Sequence, residues 1–217
     1  KQDEILLNAF SQGGMSLVAT EDLPSANLAT DVVSFMGLGD FSYTDLKKAL
    51  AGKMVSTDMA INAYSESMSG SSSVKDFETM LQLIYLQFTA PRYDEEAYRT
   101  LIGLFHNKLI NKDKNPKSVF TDSVSLMGSN HSPRTAIWNI ETLNQVSLDK
   151  ALAIYRQRFA NPADFTFVLV GNINPADKAT QKLICQWLGG MKTNKQRESF
   201  RDNGVRTPLG IQKNYFE

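Results

Sequence analysis

The sequence predicts an α+β domain in which a mostly antiparallel sheet packs against several helices, and three observations carry that prediction. Apolar residues recur at i, i+3, i+4 and i+7 in segments 77–88 and 98–109, the pattern of helices with one buried face. Side chains alternate with period two over residues 54–68, and β-branched and aromatic residues fill 165–170, as strands require. Strand-like and helical runs mostly alternate, with local hairpins and no internal repeat, which points to α+β.

Taken in order, Ile5-Leu6-Leu7-Asn8-Ala9-Phe10 and Met15-Ser16-Leu17-Val18 read as short strands around the turn Gln12-Gly13-Gly14. Residues 25–36 set Ala26, Ala29, Val32, Val33 and Met36 at helical spacing, with Leu38-Gly39 as the stop. Ser42 and Asp45 form a capping-box-like start for a helix carrying Leu46, Ala49 and Leu50, ended by Gly52. In 54–68, Ala60, Asn62, Tyr64 and Glu66 alternate with Ile61, Ala63, Ser65 and Ser67, as one long strand or a pair with a moderately polar face. The serine-rich tract 69–73 leads into the clearest helix, with Phe77, Met80, Leu81, Ile84, Tyr85 and Phe88 on one face and Ser73 with Asp76 at its start.

Pro91 breaks that helix, and Asp94 caps the next, whose face is Tyr98, Leu101, Ile102, Phe105 and Leu109. Residues 108–117 and 130–134 read as polar, mobile connections. Ser147 starts a helix carrying Leu148, Ala151, Leu152, Tyr155 and Phe159; after Asn161-Pro162, residues 165–170 read as a buried strand. Gly171-Asn172 turns the chain, Asn174-Pro175 caps a last helix with Leu183, Ile184 and Trp187, and Gly189-Gly190 closes it. Residues 1–191 then form one domain, and the charged stretch within 192–217 reads as a linker towards the next.

Lys+Arg 23 against Asp+Glu 23 leaves no net charge in 217 residues, so neither a nucleic-acid nor an anionic-membrane partner is expected. No apolar run reaches the ~18 residues of a membrane span, and no signal-peptide core follows Lys1-Gln2-Asp3-Glu4. Both ends read as cuts through a longer protein. Cys185 is the sole cysteine, which rules out an intramolecular disulfide; beside Ile184 and Trp187 it reads as a buried structural thiol. A chain without disulfides fits the cytoplasm, and it also fits many periplasmic domains.

Catalytic residues are not assignable. His106 and His131 are the only histidines, far apart in sequence, and neither H-E-x-x-H nor H-x-x-E-H occurs. The region around Ser71 lacks the G-x-S-x-G elbow and the lysine of a phosphate loop; Ser73 and Asp76 give it a structural reading, beside which anion binding at the helix start remains an alternative. Glu95 and Glu96 after Asp94 offset a helix dipole, and Asp31 reads as a solvent-facing helical residue. Catalytic, cofactor-binding and metal-ligating residues are therefore each expected to be none.

Four stretches in order resemble the M16 (insulinase/pitrilysin-like) zinc peptidases of the large bacterial kind, whose domains are LuxS/MPP-like metallohydrolase repeats. They are Gly37-Leu38-Gly39-Asp40-Phe41-Ser42 running to Ala51-Gly52-Lys53, the serine tract with Asp76-Phe77-Glu78, Pro91-Arg92-Tyr93-Asp94-Glu95-Glu96, and Tyr155-Arg156-Gln157-Arg158-Phe159-Ala160-Asn161-Pro162 with Phe167-Val168-Leu169-Val170-Gly171-Asn172. The resemblance implies a mostly antiparallel sheet packed on helices, repeated four times in a parent whose halves close around unfolded peptide, with this chain as the third repeat. In the catalytic repeat the helix before the glycine turn carries H-x-x-E-H. Here that helix reads Leu28-Ala29-Thr30-Asp31-Val32-Val33, with Asp31 near the glutamate's place, and residues 104–108 offer no carboxylate.

The resemblance thus implies a non-catalytic domain that helps enclose peptide, with zinc held elsewhere in the parent and the parent's other M16 domains and unfolded peptide as partners. The alternative is a non-proteolytic binding or assembly module that kept the fold. The arginine–tyrosine pair that some relatives use on substrate has no counterpart in residues 64–73, so neither Arg92 nor Tyr93 is given that role. An exported, periplasmic location is the expectation by resemblance, with the cytoplasm left open.

Overall fold

The computed structural model describes residues 3–194, 196–213 and 215. Strands β1 (Ile5–Gln12), β2 (Val55–Ile61), β3 (Ser65–Ser72) and β4 (Thr166–Gly171) form one sheet in the order β2-β3-β1-β4, every neighbouring pair antiparallel. In β1 the buried Ile5, Leu7, Ala9 and Ser11 alternate with the exposed Leu6, Asn8, Phe10 and Gln12. One sheet face therefore lies under the helices while the other stays open, as antiparallel sheets allow.

Helices α1 (Leu23–Asn27), α2 (Ala29–Met36), α3 (Tyr43–Ala49), α4 (Phe77–Thr89), α5 (Glu95–Leu109), α6 (Pro116–Gly128), α7 (Ile140–Asn144), α8 (Leu148–Arg158) and α9 (Lys178–Trp187) supply the rest. The core is made where α2, α4 and α8 meet the sheet: Ala29, Val32, Met36, Met80, Leu81, Ile84, Ala151 and Tyr155 are all buried with Leu7 and Met68. The stripes predicted for α4, α5 and α8 are the faces that pack. Asp94 accepts the Ala97 N–H at 3.0 Å and Ser42 accepts that of Asp45 at 3.2 Å, as the expected caps should.

The differences have local causes. Residues 15–18 are no strand: Gly14–Leu17 is a 3-10 turn, because the Met15 and Ser16 N–H groups donate to Asn62 O and Ala63 O. Gly14 sits at φ 57, and a Cβ there would lie 2.3 Å from Asn62 O. The helix expected over 25–36 is broken at Leu28 into α1 and α2. Residues 60–67 are a hairpin, with β2 ending at Ile61 and β3 starting at Ser65. β4 is an edge strand, and Val168 and Val170 are exposed rather than buried because they lie on the open face of the sheet beside Leu6 and Asn8, while Phe167 and Leu169 face the helices.

The stretch 108–117 ends α5 and contains a 3-10 turn, Lys112–Lys114, while α6 and α7 fall in a part of the chain with no strong apolar stripe. α9 begins at Lys178 under Asp177, whose carboxylate accepts the Thr180 N–H at 2.9 Å, and not at Asn174-Pro175. Ser73 and Asp76 bond each other at 2.8 Å as expected, but Asp76 carries the helix start and also accepts the Met54 N–H at 2.9 Å. Cys185 is exposed: Leu183, Ile184, Trp187 and Leu188 take the packed side of α9 and turn it outward.

The segment expected as a linker includes Lys195, Asn214, Phe216 and Glu217, which lie outside the described residues. Its described part returns over the domain, with Asn161 donating to Gln196 O at 2.7 Å and Arg201 N–H to Ser16 Oγ at 2.9 Å.

Candidate functional site

A largely apolar concavity lies beside the free edge of β2, where α2, α3 and α4 converge. Gly37 ends α2 at φ 92, and Leu38 then bridges to Phe41 and Pro91, which swings α3 out from the sheet. A Cβ at Gly37 would come within 2.2 Å of Phe41 O, so only glycine permits this route. The space left has a volume of about 240 Å³, with Met59, Gln87 and Tyr155 as its floor and Val33, Leu46 and Leu50 among its walls.

At the floor, the Tyr155 hydroxyl donates to Gln87 O and lies against Met59 Sδ, each at 2.9 Å. Burial pushes the Tyr155 phenol far above its ordinary range, so it stays protonated and is no base. Gln87 donates through Nε2 to Thr57 Oγ1 at 3.1 Å, while its buried Oε1 has no partner among the described residues.

Leu28, Asp31 and Val32 stand at i, i+3 and i+4, the spacing that would face a metal. Leu28 and Val32 are in the core, at 3% and 0% exposure, and Asp31 is exposed. Partial desolvation, then the nearby Asp58 carboxylate, push the Asp31 carboxyl above its usual range, and Lys108 on α5 opposes them. One carboxylate, two apolar core residues and a lysine are the wrong donor set for zinc, which needs three protein ligands of nitrogen, sulfur or oxygen.

The other residues singled out do not assemble. His106 is half-buried on α5, His131 is exposed at φ 55 in the loop after α6, and among the described residues no group of three His, Cys, Asp or Glu is placed to hold a metal. The Ser71 hydroxyl, at 2.9 Å, faces only that of Ser56. Glu95 pairs with Arg99 at 2.6 Å in the first turn of α5.

A second cluster, missed in the sequence, is the buried pair Glu66–Arg158. Glu66 accepts from Ser11 Oγ at 2.7 Å and from the Gly14 N–H at 2.8 Å, and lies 3.5 Å from Arg158, which forks onto Glu198 at 2.8 and 3.1 Å. Burial raises the Glu66 carboxyl against these donors. The signal was present: Arg158 falls on the packed stripe of α8 with Ala151 and Tyr155, and Glu66 shares the period of Met68. Each group serves the fold, and neither is next to the cleft.

No family model matches the chain. Two curated relatives align with most of it: a zinc protease PQQL-like protein of Arabidopsis thaliana, 26% identical over 190 residues, and the probable zinc protease PqqL of Escherichia coli, 28% identical over 187. These alignments take in 87% and 86% of this chain but 17% and 20% of the relatives, so the chain spans about a fifth of their length. Among solved structures, the periplasmic protease PqqL of Escherichia coli superposes with a TM-score of 0.76 at 24% identity, over 96% of this chain and 22% of that one. An inactive M16 peptidase domain of Pseudomonas fluorescens gives 0.69 at 12% identity, over 93% and 49%. The fold is the M16-like α+β fold, and the relatives' names with it support a fragment of the M16 zinc-peptidase type.

Proposed function

We propose that this chain is a non-catalytic domain of a zinc-dependent endopeptidase, and that it walls part of the chamber in which the parent encloses unfolded peptide. The observation that carries this reading is the uncovered face of the sheet. Leu6, Asn8 and Phe10 of β1 lie between Ser67, Ser69 and Ser71 of β3 and Thr166, Val168 and Val170 of β4, a mixed apolar and hydroxyl surface that no helix among the described residues covers. Such a surface suits extended chains of varied sequence, since it offers apolar contact and hydrogen bonds without a shaped subsite.

Zinc then belongs to another domain of the parent, in keeping with the names of the curated relatives, and that domain is the principal partner. α6 supports an inter-domain role, because it has no buried residue of its own and exposes Phe120 and Val124 on one side. The periplasmic location of the Escherichia coli protease supports an exported parent on this reading.

Two measurements test this reading. The isolated chain hydrolyses no unfolded peptide, with or without chelator; chelator-sensitive cleavage by it would overturn the proposal. In the parent, Phe10→Asp with Val168→Asp raises KM for unfolded peptides several-fold and leaves the folding of the domain intact. An unchanged KM would remove the chamber role.

A further inference from the structure

Residues 196–206 form no helix or strand, yet they are strapped to the domain by polar bonds. The Glu198 N–H donates to Asp164 Oδ2 at 3.1 Å while its carboxylate is forked onto Arg158, and the Phe200 ring meets Tyr64 edge-on at 5.4 Å. A further fastening is at Ser16, 2% exposed, whose hydroxyl accepts the Arg201 N–H and whose carbonyl accepts from Asn203 Nδ2, each at 2.9 Å.

Asn203 precedes Gly204 in the only asparagine–glycine pair of the sequence. Gly204 is exposed at φ 73, a turn conformation that glycine adopts without strain, and it has no side chain to screen its nitrogen. Once that nitrogen gives its proton to hydroxide it can attack Asn203 Cγ. The N–Cγ bond forms, the Cγ–Nδ2 bond breaks, and ammonia leaves with a proton from solvent. Water then opens the five-membered imide at either carbonyl and leaves aspartate or isoaspartate at position 203. The only co-reactants are water and hydroxide.

Docking occupies both reacting groups. Asn203 Nδ2 is held on Ser16 O, and the Gly204 N–H donates to Asp202 Oδ1 at 3.0 Å. Arg206, and then the Gly204 N–H itself, hold the Asp202 carboxyl far below its ordinary range, so this acceptor is too weak a base to take the proton. Release of the strap frees both groups. The product cannot refasten in the same way, because a carboxylate at 203 has no hydrogen to give Ser16 O and stands beside Asp202. Isoaspartate also adds a methylene to the backbone.

We propose that Asn203 is a spontaneous modification site, protected while the tail is docked, whose deamidation irreversibly unfastens the tail from Ser16. The inference stands apart from the chamber reading.

The test compares the chain with the free peptide acetyl-Arg-Asp-Asn-Gly-Val-Arg-amide in mildly alkaline buffer, by peptide mapping and enzymatic detection of isoaspartate. Asn203 gains about 1 Da, several-fold more slowly in the chain than in the peptide. Glu198→Ala removes a fastening further up the strap, leaves Arg158 its contact with Glu66, and brings the rate towards that of the peptide. Where that variant melts early, the unaltered chain against the peptide decides. Asn203→Gln, whose longer side chain closes a ring far more slowly, stays unmodified. In hydrogen exchange, Asn203→Asp exposes the Arg201 amide while the amides of β1 and α4 keep their protection. The proposal is overturned by an Asn203 still intact in both the chain and Glu198→Ala when the peptide has converted. It is equally overturned by a rate in the chain equal to the peptide's, or by an Arg201 amide as protected in Asn203→Asp as in the unaltered chain.

Discussion

Asp94 connects one side chain to the placement of a whole helix. Its carboxylate accepts the Ala97 N–H and closes the first turn of α5, directly after Pro91 has ended the connection from α4. Asp94→Ala should destabilise the chain by about 1 kcal/mol, measured by denaturant unfolding. The bond from Ala97 holds the Asp94 carboxyl below its ordinary range, with Arg92 adding to it. A depressed folded pKa means stability that is present above the unfolded value of ~3.9 and lost as pH falls through the folded one. The difference between the unaltered chain and Asp94→Ala should therefore be constant near neutrality and shrink in acid. Glu66 has the opposite sign: its raised carboxyl favours folding at low pH, and that contribution is lost as pH rises through the folded value.

Elements in this fold are held by residues remote in sequence, and the Glu66–Arg158 pair joins three of them. β3 supplies Glu66, α8 supplies Arg158, and the returning tail supplies Glu198, while Gly13 passes so near that an added Cβ would lie 2.9 Å from Arg158 Nη1. Arg158→Met leaves Glu66 buried without its cation and should cost about 3–5 kcal/mol. Adding Glu66→Gln, whose amide oxygen can accept the Gly14 N–H while its NH2 donates to the Ser11 hydroxyl, should recover part of the loss in a double-mutant cycle. α6 sits at the other extreme. With no buried residue, it depends on the cap at Asn115 and on Lys112, which bonds Asp122 at 2.5 Å and Trp138 O at 2.8 Å. Its amides should exchange faster than those of α4 or α8 in hydrogen-exchange measurements. That contrast explains which elements were legible: α4, α5 and α8 declare themselves by a packed stripe, whereas α6 has none. Tertiary contacts decided the rest, since the turn at Gly14 answers to carbonyls at Asn62 and Ala63, and the exposure of Val168 and Val170 to the open sheet face on which they lie.

At the scale of the whole molecule, the sheet-and-helix layout was legible, while the cleft was not, because Gln87, Tyr155, Thr57 and Leu46 converge from four elements. The residues at zinc-motif spacing on α2 show how firmly that helix is tied to the core. To restore H-x-x-E-H on α2 requires Leu28→His, Asp31→Glu and Val32→His. Leu28 and Val32 are two of the residues that tie α2 to the core, so the change removes two apolar side chains and buries two imidazoles. Losing a buried leucine or valine and burying an unpaired polar group each cost on the order of 2–3 kcal/mol, and the sum is comparable with the ~5–15 kcal/mol stability of a whole domain. Lys108 adds a cation on the α5 side, where a third ligand would be needed. The triple variant should therefore melt far earlier than the unaltered chain and hold no stoichiometric zinc by metal analysis. A stable variant that binds one zinc per chain would mean that α2 can still turn its metal-spaced positions outward.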